Sequence, residues 1–289
     1  MYIYASTFYN FFSFLCIIIH TCFSLYLFIP ATLFVLYGII LTMINLDIKI
    51  LIAVLAAVVF GNGCVVLFNH IPQKWFEDWA PDEAAGDKEA THRILPAKLL
   101  EADNSGRQRL TSTPWKYIFT ALFGICGVYL SITSSISYEI SVLVVMAILL
   151  EIAVSDQLYS IVPDQLQVLL AISAVGFVSY NENWWEPLAG AGIGLAIGLS
   201  VWGLGQLIFR TGSLGGADIK FFLCMGLVVG RSGVIIVFVL TTLIFAVYSA
   251  IRLATKKSSI TDSNPMLPSA AVATTAYLVF LYNISGILF

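Results

Sequence analysis

Apolar residues run in long blocks along nearly the whole chain, and polar positions are gathered into short breaks between them. Three blocks come first, at residues 2–29, 31–46 and 49–69. Seven more follow a polar region, at about 115–132, 138–155, 162–180, 187–209, 218–230, 233–254 and 267–288. A helix needs about 20 apolar residues to cross the hydrocarbon core. Inside lipid every backbone polar group must be paired within the protein, and these blocks are too long for barrel strands. The pattern therefore predicts an all-α fold: a polytopic transmembrane helical bundle of about eight core helices, counted from 49–69, plus one or two N-terminal hydrophobic segments. The block at 218–230 is short for a full crossing, which fits local bilayer thinning or a re-entrant piece.

Between the two groups of blocks the composition changes. Residues 70–114 carry eight acidic residues, from Glu77 to Asp103, and six basic ones: Lys74, Lys88, Arg93, Lys98, Arg107 and Arg109. This is a solvated loop or a small amphipathic subdomain, too short and polar to build much core of its own. Trp75 and Trp79 are expected at the membrane interface, where tryptophans gather near helix ends. The domain division that results is 1–46, an N-terminal hydrophobic extension; 47–114, the first core helix with the charged loop; and 115–289, the transmembrane domain that holds the candidate chemistry. The 2–29 block lacks a basic n-region, so a cleaved signal peptide is not expected. Met43 is a candidate start, which would leave the eight-helix core.

Composition agrees with the pattern: 59% of the 289 residues are hydrophobic and only 11% are charged. Soluble domains carry roughly 25% charged residues. A net charge of −3 gives no footing for nucleic-acid binding. Cys16, Cys22, Cys64, Cys126 and Cys224 all lie in apolar stretches without CxxC spacing. They read as small buried hydrophobes, and no metal site is expected. Basic residues fix an orientation. With the 70–114 loop in the cytoplasm and the blocks alternating, twelve of the 14 Lys and Arg residues fall inside, and only Lys49 and Arg231 fall outside.

Two polar breaks stand out. The first runs from Ser155-Asp156-Gln157 to Val162-Pro163-Asp164, and the second is Gly212-Ser213-Leu214-Gly215-Gly216-Ala217-Asp218-Ile219-Lys220. Carboxylates beside membrane blocks are costly unless paired, solvated or used. The orientation above puts both breaks at cytoplasmic helix ends. There Asp156 and Asp218 are expected to meet and to activate a water for peptide-bond hydrolysis. Two adjacent carboxylates do not both ionise cheaply, so one keeps a proton and the other serves as base. Gly212, Gly215 and Gly216 let backbone approach a substrate strand closely, and Pro163 keeps the segment after Asp156 non-helical. The competing structural role for Asp218 is a cap on the helix that follows. Asp164 suits a cap or a place in the same mouth. Lys220 either biases Asp218 by its charge or marks the cytoplasmic edge. Glu151, deeper in its helix, is expected to snorkel to the interface in preference to tuning the pair. Gly190, Gly194 and Gly198 form a smooth face for close helix packing.

These residues resemble the type IV prepilin peptidases, integral-membrane aspartic peptidases of the GxGD type (leader peptidase A24). The matching features are an aspartate, six residues, then Pro-Asp (Asp156 to Pro163-Asp164), and Gly215-Gly216-Ala217-Asp218-Ile219-Lys220, with Ala217 in place of the second glycine. Asn264-Pro265-Met266-Leu267-Pro268 resembles the family's proline-flanked approach to its last helix, and Arg107–Leu110 with Pro114 and Trp115 its loop-to-membrane junction. The resemblance covers about 60–289. It implies that Asp156 and Asp218 are catalytic. Pro163, Asp164, Gly212, Gly215, Gly216 and Lys220 would shape the site. The substrate would be a prepilin or pseudopilin with a basic leader and a hydrophobic helix, and the setting the inner (plasma) membrane with the site toward the cytoplasm. Proteolysis would need no cofactor. S-adenosylmethionine enters if the family's N-methylation of the new amino terminus is retained. Two departures bear on that: Gly61-Asn62-Gly63-Cys64-Val65 keeps only the first glycine of the family's GSFLN-type sequence, and the loop has no cysteine. The alternative is a proton- or cation-coupled transporter using the aspartate pair, for which mid-membrane ionisable residues and an internal repeat are expected. A scaffold with a recruiting loop leaves both aspartate contexts unexplained. Serine chemistry is disfavoured because His20, His70 and His92 all precede the motif helices.

Overall fold

The computed structural model describes residues 30–72, 75, 100–102, 108–181, 183–209, 215–255 and 264–282. Expectations for the 2–29 block, most of the charged loop, Trp79, Cys16, Cys22 and Gly212 lie outside the described residues. The chain divides into two units, Met1–Ile48 and Lys49–Phe289. Apart from the beginning of the first helix, every element described below lies in the second.

Seven helical elements appear among the described residues. They are α1 (Pro30–His70), α2 (Ser112–Thr133), α3 (Ile136–Tyr159), α4 (Asp164–Ser173, continued by a 3-10 turn over Ala174–Tyr180), α5 (Glu186–Phe209), α6 (Gly216–Ala254) and α7 (Leu267–Ala276, continued as π-helix over Tyr277–Leu281). The blocks expected separately at 31–46 and 49–69 share α1. Among the described residues five helices are long and apolar enough to span a membrane. Apolar side chains also face outward, among them Leu207, Val175 and Ile125. A water-soluble bundle would put polar residues there; a lipid-facing surface does not need them. The chain is an integral membrane protein built as a helical bundle. One small ribbon accompanies the helices: β1 (Leu100–Ala102) pairs antiparallel with β2 (Gln108–Leu110).

The helix α6 is not a straight rod. Gly230 has φ 71° and ψ −174°, a conformation open essentially to glycine alone. Phe222 and Phe238 stand eight residues to either side of it, yet their ring centroids are 5.4 Å apart. In a continuous helix they would be separated by about 24 Å at 1.5 Å per residue. The chain therefore folds back at Gly230 into arms 216–229 and 231–254, and α1–α7 supply the eight core helices that the pattern predicts. The first arm rises only about 21 Å, less than a full crossing.

Small residues set the packing. The Gly190-Gly194-Gly198 face of α5 lies against the first arm of α6, and a Cβ at Gly198 would sit 3.2 Å from Ile219. At Gly194 it would sit 2.8 Å from the Phe222 carbonyl carbon, and at Gly190 2.9 Å from Gly230 Cα. A second small-residue seam joins α1 to α2: Gly61 against Thr120, Ala57 against Gly124, and Ala53 against Gly127.

The bundle has two polar ends. At one, Lys49 donates to the Ser134 carbonyl at 3.4 Å, and the Arg231 guanidinium lies over Trp185. Tyr138, Tyr180 and Tyr282 cluster near them. At the other lie the last turns of α1 and α3 and the starts of α4, α6 and α7. Asn69 at the end of α1 exchanges two hydrogen bonds with the Leu110 backbone, each 3.0 Å, which docks β2 just before α2 begins.

Candidate active site

At this second end the helix α3 stops one turn after Asp156. Ser160 takes a left-handed conformation (φ 52°, ψ 26°), and its N–H donates to the Asp156 carbonyl at 2.9 Å. Residues 160–163 are non-helical, and Pro163 is the N-cap position of α4. Pro163 suits this place because its missing N–H costs nothing at a helix start. Asp164 is the first residue of α4. The first arm of α6 begins at Gly216, with Asp218 in its first turn.

Each aspartate is half-buried and takes one backbone N–H at a helix start. Asp218 Oδ2 accepts from Gly215 N at 3.1 Å, half of a capping box on its own helix. Asp156 Oδ2 accepts from Leu267 N at 3.1 Å, so a carboxylate from α3 caps α7, 111 residues on. Among the described residues Oδ1 of each has no hydrogen-bond partner. The two carboxylates lie within Coulombic reach of each other. The capping role that competed with chemistry for Asp218 is present, and it uses only one of the two oxygens.

The surrounding chain holds this arrangement from several sides. Arg252, buried near the end of α6, donates to Asn264 Oδ1 at 2.7 Å and so anchors the segment that brings Leu267 to Asp156. Lys220 Nζ bonds both oxygens of Asp164, at 2.7 and 2.8 Å. Gln167 Nε2 donates to the Ala217 carbonyl at 3.1 Å. A cavity of about 390 Å³ opens beside the pair, walled by Trp75, Ser160, Pro163, Asp164, Gly215, Gly216 and Lys220. Neither Asp156 nor Asp218 is itself a wall of it. Trp75, expected at the bilayer interface, is half-buried here. A separate apolar groove of about 530 Å³ runs between α2, α3 and α7, and reaches Gln157 and Pro268, the neighbours of Asp156 and Leu267.

Pro163, Asp164, Gly215, Gly216 and Lys220 thus lie together around the two aspartates. Glu151 does not follow expectation. It is 5% exposed, and among the described residues neither carboxylate oxygen has a hydrogen-bond partner. Five residues before Asp156 it points inward, about 140° around the helix from it at 100° per residue, too deep to snorkel. Cys64, Cys126 and Cys224 are buried free thiols. Sequence reasoning missed the Leu267 amide, for which the Pro265–Pro268 pattern was the available sign. It also missed Gln167, whose sign is a lone amide among Leu166, Val168, Leu169 and Leu170.

Residues 143–250, which enclose both aspartates, match the type IV leader peptidase family. A prepilin leader peptidase/N-methyltransferase from Bacillus subtilis (strain 168) is 26% identical over 174 residues, 60% of this chain. The match spans 66% of that relative, slightly under two thirds of its length. No solved structure matches the chain. The similarity suggested by the two aspartate motifs is therefore also found by comparison, over the segment that carries them.

Proposed function

We propose that this protein is a membrane aspartic endopeptidase that removes the leader of a prepilin or pseudopilin. The observation that carries it is the convergence of Asp156 and Asp218. Both are half-buried, both are oriented through Oδ2 by a backbone N–H, and each keeps Oδ1 open at the same end of the bundle. Water placed between the two Oδ1 atoms loses a proton to the ionised carboxylate and attacks the scissile carbonyl. The protonated carboxyl then gives its proton to the leaving nitrogen. The pair returns to one proton, and the products are a leader carboxylate and a new amino terminus.

The substrate assignment is supported by two spaces near the pair and by the charge pattern of the chain. The apolar groove beside Gln157 and Pro268 suits a hydrophobic helix, and the cavity walled by Ser160, Asp164 and Lys220 suits a polar leader. Twelve of 14 basic residues on one predicted side support a cytoplasmic site in the inner membrane. Proteolysis by this route uses no cofactor. Methyl transfer from S-adenosylmethionine would fall to the N-terminal region, where Cys64 and Val65 are buried and Gly61 is packed against Thr120. These residues offer no nucleotide cradle, and no methyl-transfer step is derived through them. A transporter using the pair would need a polar path on through the bundle. The buried Glu151 and Glu139 are the only acids along α3 before Asp156, and they are three turns apart without hydrogen-bond partners.

The test is leader cleavage of a prepilin substrate in membranes. Asp156→Ala and Asp218→Ala are expected to show none, and Asp164→Ala partial activity. Cleavage that survives either of the first two substitutions would overturn the mechanism.

A further inference from the structure

Two ties join the segment that leaves Asp156 to the segment that carries Asp218. Lys220, two residues after Asp218, is held by both oxygens of Asp164. Ala217, the residue before Asp218, is held through its carbonyl by Gln167. Asp164 and Gln167 lie in the first turn of α4, which is separated from the end of α3 only by the short stretch 160–163. Ties on both sides of Asp218 thus lead back, through a few residues, to the helix end that carries Asp156.

Stability does not account for either tie. The ion pair is half exposed, 49% at Lys220 and 56% at Asp164, and pairs so exposed contribute little to folding. Gln167 is 2% exposed, and among the described residues its Oε1 has no hydrogen-bond partner. An amide buried with one end unsatisfied costs free energy that an apolar residue at the same place would save. What the two ties do achieve is geometric. Acid–base chemistry across two helices depends on holding the groups to within about 0.5 Å.

We infer that Gln167, together with the Asp164–Lys220 ion pair, is a positioning strut that sets the spacing of the Asp156 and Asp218 carboxylates. The inference rests on the peptidase function proposed above. Gln167 itself is buried and touches neither substrate nor the attacking water. It acts through Ala217 and Lys220 on the first turn of α6, and its loss lets that turn drift from the end of α3. The amide does this at a cost in stability, so its removal separates the two properties: the chain becomes no less stable while turnover falls.

The experiment uses the full chain in membranes and a prepilin substrate, with kcat, KM and thermal unfolding measured for each variant. Gln167→Met, close in shape and without the amide, is expected to lower kcat about tenfold, as a misplacement well under 1 Å would. Its KM should stay within about twofold, and its unfolding temperature should be unchanged or higher. Asp164→Asn and Lys220→Met are each expected to lower kcat, and the reversed pair, Asp164→Lys with Lys220→Asp, to recover most of that loss. Wild-type turnover in Gln167→Met would overturn the inference, as would a loss of rate that merely follows a loss of fold. A folded reversed pair no better than the single variants would do the same. Should the reversed pair not fold, Gln167→Met decides alone. If the native chain does not cleave, or if Asp156→Ala does, it is the peptidase function that fails and not the strut.

Discussion

Gly194→Ala tests how closely the site depends on the seam between α5 and α6. A Cβ at Gly194 lands on the Phe222 carbonyl, 2.8 Å from its carbon and 3.3 Å from Val234 Cγ2. Carbon atoms in good contact stand about 3.6 Å apart, and the Phe222 carbonyl oxygen is nearer still than its carbon, so α5 and the first arm of α6 must part by at least about 0.8 Å. Backbone, not a flexible side-chain tip, receives the new methyl, and overpacking of this kind costs about 1–3 kcal/mol. Phe222 lies one helical turn after Asp218 on the same arm. A displacement near 1 Å at reacting groups lowers rates by up to about 100-fold. Gly194→Ala is therefore expected to lose 1–3 kcal/mol, by the same range, in thermal unfolding and about 10- to 100-fold in leader cleavage. Gly198→Ala, 3.2 Å from Ile219, should lose less of both. Gly192→Ala and Gly203→Ala meet nothing within 4 Å and should lose neither. Identical stability and turnover in Gly194→Ala and Gly192→Ala would refute the seam as the support of Asp218.

Three further outcomes follow from the same geometry. Gly230→Ala forces a side chain into φ 71°, ψ −174°, and is expected to lower stability by about 1–3 kcal/mol in thermal unfolding. Asparagine should not rescue it, because asparagine tolerates the left-handed helical region and not this one. Asn69→Ala leaves the buried Leu110 backbone without either of its two partners and should cost about 1–3 kcal/mol, read by unfolding or by protease sensitivity of the loop junction. Cleavage should follow a bell-shaped pH profile. At the acid limit both carboxyls are protonated and no base remains; at the alkaline limit both are ionised and no proton is available for the leaving nitrogen. A monotonic profile would contradict a shared-proton pair.

Much of the fold was legible because lipid simplifies the code. Apolar blocks and polar breaks mark helices and ends directly, and even the reversal at Gly230 fell at the edge of the break between 218–230 and 233–254. The pattern gives depth along a helix better than the direction a side chain faces. Glu151 illustrates this: its depth was read correctly, but its orientation toward the interior depends on how α1 and α3 pack. The aspartates were legible as types in distinctive contexts. Their partners were less so, because Leu267 contributes a backbone N–H that any residue but proline has. Gln167 reads as an ordinary polar residue until α4 is docked against α6. The α1–α2 seam was missed for a similar reason, since Ala53, Ala57 and Gly61 only become a stripe when Gly127, Gly124 and Thr120 stand opposite them.

The most direct measurement of the central claim is chemical cross-linking of the two aspartate positions. In a background whose native cysteines are replaced, Asp156→Cys with Asp218→Cys would be treated with a short, membrane-impermeant bifunctional thiol reagent in inside-out vesicles. An internal link between the two positions, absent in right-side-out vesicles, is the predicted result. Labelling of each cysteine alone without any link between them, or labelling from opposite faces, would contradict a shared site at the cytoplasmic end of the bundle.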